Sequence, residues 1–167
     1  LFILLIIIGR SKAPMPLMVQ SPMLTEDSAS TTDFCPPLAP PTGPTVTVTT
    51  VAELQNAVNT AASGSTILIA DGTYTMDGVY LRFATPNVTL RSASGNRENV
   101  VLDANYNTDA GEIIQIAASN VTIADITLRE AYYHPIHVTS TSNAGTTGTL
   151  IYNVHIVDPR QQAIKIN

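Results

Sequence analysis

The stretch NVTIADITLREAYYHPIHV, residues 120–138, decides how this chain folds. It holds three short apolar segments in succession: Val121-Thr122-Ile123, Ile126-Thr127-Leu128-Arg129 and Ile136-His137-Val138. In each, apolar and polar residues alternate, the pattern of a strand buried on one face. No helical periodicity separates them, so the stretch predicts three strands joined by turns.

The same three strand types recur on both sides. First strands align Ile67, Val88, Val121 and Thr149, followed two residues on by Ile69, Leu90, Ile123 and Ile151. Second strands align Val100, Ile126 and Val154, followed by Leu102, Leu128 and Ile156. Third strands align Val79, Ile114, Ile136 and Ile164, followed by Leu81, Ile116, Val138 and Ile166. The last two units keep an offset of 28 residues in all three strand types, whereas earlier offsets run from 21 to 35. Insertions therefore fall in loops while the strands persist.

Three strands per unit without regular two-residue hairpin turns do not close as a meander. They suit a coil in which each strand stacks on its counterpart about 4.8 Å away and an aliphatic column is buried. The expected fold class is all-β, a parallel β-helix with three sheets. The corner between first and second strands is short, Ala124-Asp125 in one coil and Tyr152-Asn153 in the next. Asp and Asn tolerate the left-handed backbone such a corner needs, and Asn87 and Asn120 precede equivalent first strands. The Asn-Val-Thr triplets at Asn87 and Asn120 also match a glycosylation acceptor.

Ahead of the coils, Thr50-Val51-Ala52-Glu53 is a capping-box pattern, and Leu54, Ala57, Val58, Ala61 and Ala62 follow at helical spacing. A short capping α-helix is expected from Val51 to Ala62, stopped by Gly64.

The 167 residues suffice for one cored domain, but their composition is uneven. Residues 1–10 open on an apolar run, Leu1 to Ile8, which reads as the end of a secretory signal or of a membrane anchor. Residues 11–45 are rich in Pro, Ser and Thr and read as a disordered linker or stalk. Residues 46–167 form the β-helix, expected to be the N-terminal part of a domain truncated at its C-terminus. Export, to the medium or the cell surface, follows from the apolar run. Cys35 lies in the linker as the one cysteine of the chain, so it forms no internal disulfide. A net charge of −5 without a basic cluster argues against a nucleic-acid partner. Membrane contact is expected only through an N-terminal anchor, and the chain is expected to be a monomer.

The capping helix followed by Gly64-Ser65-Thr66-Ile67-Leu68-Ile69-Ala70-Asp71-Gly72-Thr73-Tyr74 resembles the opening of right-handed parallel β-helix proteins of the pectate-lyase-like superfamily. Chondroitinase-B-like and alginate-lyase-like polysaccharide lyases share that opening. The resemblance covers about Thr45 to Asn167 and is specific for fold rather than activity. It implies that the third strands form the sheet whose outer face carries a substrate groove, with a polysaccharide as partner. The outward residues would be Tyr80, Gln115, His137 and Lys165. Adjoining loops bring Asn105, Tyr106, Asp109 and Glu112, then Tyr132, Tyr133 and His134, then Asp158, Arg160 and Gln161.

A lyase must neutralise a uronate carboxylate, remove the neighbouring C5 proton and protonate the leaving oxygen. His137, Lys165 and Arg160 are the candidates for that chemistry, with Tyr80, Gln115, Tyr132, Tyr133 and His134 as sugar-binding residues. The same alternation is also what any solvated sheet face shows. His134-Pro135-Ile136-His137 has no metal-ligand meaning outside a helix, so no transition-metal site is assigned. Ca2+ is the candidate cofactor, with Asp109 and Glu112 as oxygen ligands. Asp103 and Arg129 should meet in successive coils as an ion pair. The competing reading is a non-catalytic solenoid displayed on its stalk.

Overall fold

The structure, a computed structural model, describes residues 36–140 and 145–167. The apolar run, Cys35 and the linker up to it lie outside the described residues.

Among the described residues, thirteen short strands form three parallel sheets. The first contains β1 (Thr45–Val48), β2 (Thr66–Ile69), β5 (Thr89–Ser92), β8 (Thr122–Ala124) and β11 (Leu150–Tyr152). The second contains β3 (Gly72–Thr75), β6 (Val100–Asp103), β9 (Thr127–Arg129) and β12 (His155–Val157). The third contains β4 (Leu81–Phe83), β7 (Ile114–Ile116), β10 (Ile136–Val138) and β13 (Ile164–Ile166). From β2 onward the chain visits the three sheets in one cyclic order four times, an arrangement consistent with a parallel β-helix. The α-helix α1 (Val51–Thr60) follows β1 and precedes these circuits.

Alternation sends one set of side chains inward, and parallel register stacks like upon like. Ile67, Leu90, Ile123 and Ile151 share one row, and Leu102, Leu128 and Ile156 another. Leu90, Leu102, Ile114, Ile116, Ile123 and Leu128 are fully enclosed. Each such side chain contributes about 1.5–3 kcal/mol of burial, which offsets the ordering of three-residue strands. Helix α1 covers the first circuit with Leu54, Ala57 and Val58 buried, packing on β1, β2 and β4. Thr50 caps it by accepting from the Glu53 N–H, while the Glu53 carboxylate reaches back to the Thr49 N–H at 2.7 Å.

Three sequence expectations need correction. The helix ends at Thr60, and its C-cap, Ala61, is not left-handed, so Gly64 does not close it. Gly64 instead belongs to a corner shared with Asn87, Asn120 and Gly148. All four have left-handed backbone (φ 85°, 60°, 58° and 69°), and each stands two residues before β2, β5, β8 or β11. The backbone links these corners: Gly64 N–H donates to Asn87 O, Asn87 N–H to Ser119 O and Asn120 N–H to Thr147 O.

Consequently Ile67 stands beside Leu90 rather than Val88. In the third sheet Leu81 stands beside Ile114, which moves Val79 out of register. Both slips are of two residues, and a two-residue slip keeps every side chain on its face, so alternation cannot detect it. The second sheet and the later circuits keep the expected alignment.

At the other corner Asp125 and Asn153 are left-handed as expected (φ 54° and 49°), and the Asn153 amide donates to Asp125 Oδ1 at 3.0 Å. Residues 36–44 have no regular element before β1 and run along the outer side of the first sheet. There Arg91 donates to the carbonyls of Leu38 and Ala39, and the Tyr152 hydroxyl to that of Pro36.

Candidate functional site

The outer row of the third sheet is Arg82, Gln115, His137 and Lys165, one residue per circuit in continuous register. Strand spacing spreads the row over about 14 Å, three steps of ~4.8 Å. Tyr80, expected at the head of this row, is displaced by the two-residue slip and Arg82 takes its place. Tyr80 stays exposed beside the row, at 40% of its surface. The exchange replaces an aromatic ring with a fixed positive charge, so the row carries a cation at each end.

His137 is the most constrained member. Its Nδ1 lies 2.6 Å from Glu112 Oε1, and its Nε2 lies 2.9 Å from the Asn167 amide nitrogen. Gln115 donates to the other Glu112 oxygen at 3.3 Å. Glu112 thus touches two neighbouring members of the row, and its oxygens are both engaged within the protein. Among the described residues no group of three His, Cys, Asp or Glu side chains is placed to hold a metal ion.

The loops between the second and third sheets flank this row. Tyr132 and Tyr133 meet edge to face with centroids 4.9 Å apart, and the Arg160 guanidinium lies 4.5 Å above the Tyr132 ring. That cation–π contact holds Arg160 in the loop leading into β13. Tyr133 is 42% exposed, and its ring lies against Gly111, where no room remains for a Cβ. Gly111 is left-handed (φ 69°), so glycine suits both the turn and the ring. Tyr106 is exposed nearby. Desolvation, then the carboxylates of Asp158 and Glu130, raise its phenol above the usual value, with Arg160 opposing.

His134 departs from the rest of the predicted set. It is buried, with its ring 6.0 Å from that of His137, and its Nδ1 has no hydrogen-bond partner among the described residues. The structure therefore brings His137, Lys165 and Gln115 into one row with Arg160, Tyr132 and Tyr133 beside it.

Sequence reasoning missed Arg82 and Asn167 in this site; it placed Glu112 in a loop adjoining the row and as a calcium ligand, not against His137. Arg82 had a signal: Leu81-Arg82-Phe83 matches the apolar-polar-apolar triplets Ile-Gln-Ile, Ile-His-Val and Ile-Lys-Ile of the other third strands. The Asp103–Arg129 pair forms as expected on the second sheet, with Arg129 Nη2 2.6 Å and Nε 2.9 Å from Asp103 Oδ2.

No family model matches the chain, and no curated protein or solved structure matches it.

Proposed function

We propose that this chain is a right-handed parallel β-helix of the pectate-lyase-like kind, exported from the cell, which binds an acidic polysaccharide along its third sheet and cleaves it by β-elimination. The handedness is the one favoured for crossovers between parallel strands. The apolar run of residues 1–8 supports export.

One observation carries the functional reading: a chain with net charge −5 sets Arg82, His137 and Lys165 in a single outward row, with Arg160 on an aromatic platform beside it. A row of this kind complements a linear polyanion lying across successive strands. In the elimination, Arg160 neutralises the uronate carboxylate, which makes the C5 proton more acidic. His137 takes that proton, the electron pair forms the C4–C5 double bond, and the C4–O4 bond breaks towards oxygen. Lys165, on the next rung, supplies the proton to the leaving oxygen.

The test is an assay of the protein on alginate, pectin and chondroitin, following the ultraviolet absorbance of the unsaturated product. Turnover that is lost in His137→Ala and Lys165→Ala supports the reading. No product and no binding on any of the three contradicts it.

A binding scaffold without turnover is the second reading. The contact between the Asn167 amide and His137 Nε2 favours it, because that nitrogen already has a partner. Binding of a polysaccharide without unsaturated product would select it.

A further inference from the structure

We infer that Glu112 is a positioning residue: it fixes His137 as the tautomer with its hydrogen on Nδ1, so that the bare Nε2 is the nitrogen presented to a sugar. The inference rests on the reading of the third sheet as a polysaccharide site, and it gives Glu112 a role other than calcium ligation.

An ionised carboxylate only accepts hydrogen bonds, so the 2.6 Å contact between Glu112 Oε1 and His137 Nδ1 places the imidazole hydrogen on Nδ1. The exposed Asn167 amide stands 2.9 Å from Nε2 and can turn either its nitrogen or its oxygen to the ring, so the choice of tautomer falls to Glu112. The Glu112 carboxylate therefore selects the neutral tautomer, and a donating Asn167 amide is compatible with that choice. A histidine free in water favours the other one, with its hydrogen on Nε2. The protein reverses that preference, and the partner on Nδ1 decides which nitrogen is left for chemistry.

Glu112 is held for the task. Its second oxygen accepts from Gln115, the row residue one strand away, so the carboxylate bridges β7 and β10. Its backbone N–H donates to Ala110 O at 2.8 Å. The preceding residue, Gly111, is pinned by its left-handed turn and by the Tyr133 ring packed against it. The side chains of Glu112 and His137 are only 17% and 12% exposed, so water competes weakly for the contact. A sugar that displaces the Asn167 amide meets a hydrogen-bond acceptor or base, not a second donor.

The tautomer is read directly from two-bond nitrogen–proton correlation spectra of the full chain labelled with 15N-histidine, at a pH where the ring is neutral. The chain has three histidines, and His137→Gln assigns the signal. The expected result is the Nδ1–H pattern in the unaltered protein and in Glu112→Gln, whose amide oxygen still accepts, and the Nε2–H pattern in Glu112→Ala. On a polysaccharide that is turned over, Glu112→Ala should lower kcat by about tenfold or more while KM moves less than about twofold. An Nε2–H pattern in the unaltered protein, or no change in Glu112→Ala, overturns the inference whatever the polymer does. The expected tautomer without turnover or binding on any acidic polysaccharide sinks the functional reading alone and leaves the placement of Nε2 standing.

Discussion

Asn120 donates its side-chain amide to the Asn87 side-chain carbonyl at 3.0 Å, one circuit away, and both residues hold left-handed backbone. Asn87 in turn donates to the Ser63 hydroxyl at 2.9 Å. The corner thus carries a side-chain ladder parallel to the backbone ladder, and asparagine serves both.

The two contributions separate by substitution. Asn120→Gly keeps the backbone conformation and loses the ladder bond, at about 1 kcal/mol. Asn120→Ala also forces a left-handed residue with a Cβ, for a total of about 2 kcal/mol. Thermal unfolding followed by circular dichroism should rank alanine below glycine and both below the parent. Equal melting for the two variants would remove the backbone part of the account.

Gly148 occupies the next corner, and a Cβ there would collide with the Asn120 side chain. Gly148→Ala is therefore expected to cost about 2–3 kcal/mol, combining strain with displacement of the ladder. Gly95 has a similar φ of 72° but open space around it. Gly95→Ala should cost only about 1 kcal/mol. Denaturation of the two variants side by side checks the difference.

Asp103 does more than pair with Arg129, since its Oδ1 accepts from the Asn105 N–H at 3.0 Å. Asp103→Ala removes both contacts and should destabilise by about 1–3 kcal/mol. Arg129→Ala removes a partner whose side chain is 40% exposed, and should cost about 1 kcal/mol or less. Equal shifts in denaturant midpoints would mean that the ion pair itself dominates.

The helix cap gives a pH dependence. The Thr49 backbone N–H, followed by the Thr49 hydroxyl, holds the Glu53 carboxyl below its usual range. A depressed folded-state value means stability that is present above the unfolded glutamate value and lost as pH falls through the folded one. Glu53→Gln should flatten this acidic limb of the melting-temperature profile. An unaltered acid limb in that variant would show that the cap is not linked to folding.

The architecture was legible because alternation and a constant 28-residue offset in the last two units specify stacked parallel strands. Those units kept their expected register. The early circuits slipped because alternation has period two and offers no penalty for a two-residue shift. The discriminating signal was the left-handed corner: aligning Gly64 with Asn87 and Asn120 sets Ile67 beside Leu90 at once. Gly64 was assigned to the helix because a glycine after a helical pattern has that use as well. A separate two-residue slip in the third sheet put Tyr80 where Arg82 stands. The Glu112–His137 contact was less accessible, since it joins residues 25 apart through a loop whose path periodicity does not describe.

The central claim is that the outward row of the third sheet binds an acidic polysaccharide, and calorimetric titration of oligouronides into the protein and its Arg82→Ala/Lys165→Ala variant tests it most directly. The account predicts binding that weakens with added salt, falls by about a hundredfold or more in the double variant and is unaffected by Tyr80→Ala. Absence of binding to every acidic oligosaccharide, or binding that survives loss of both cations, would contradict it.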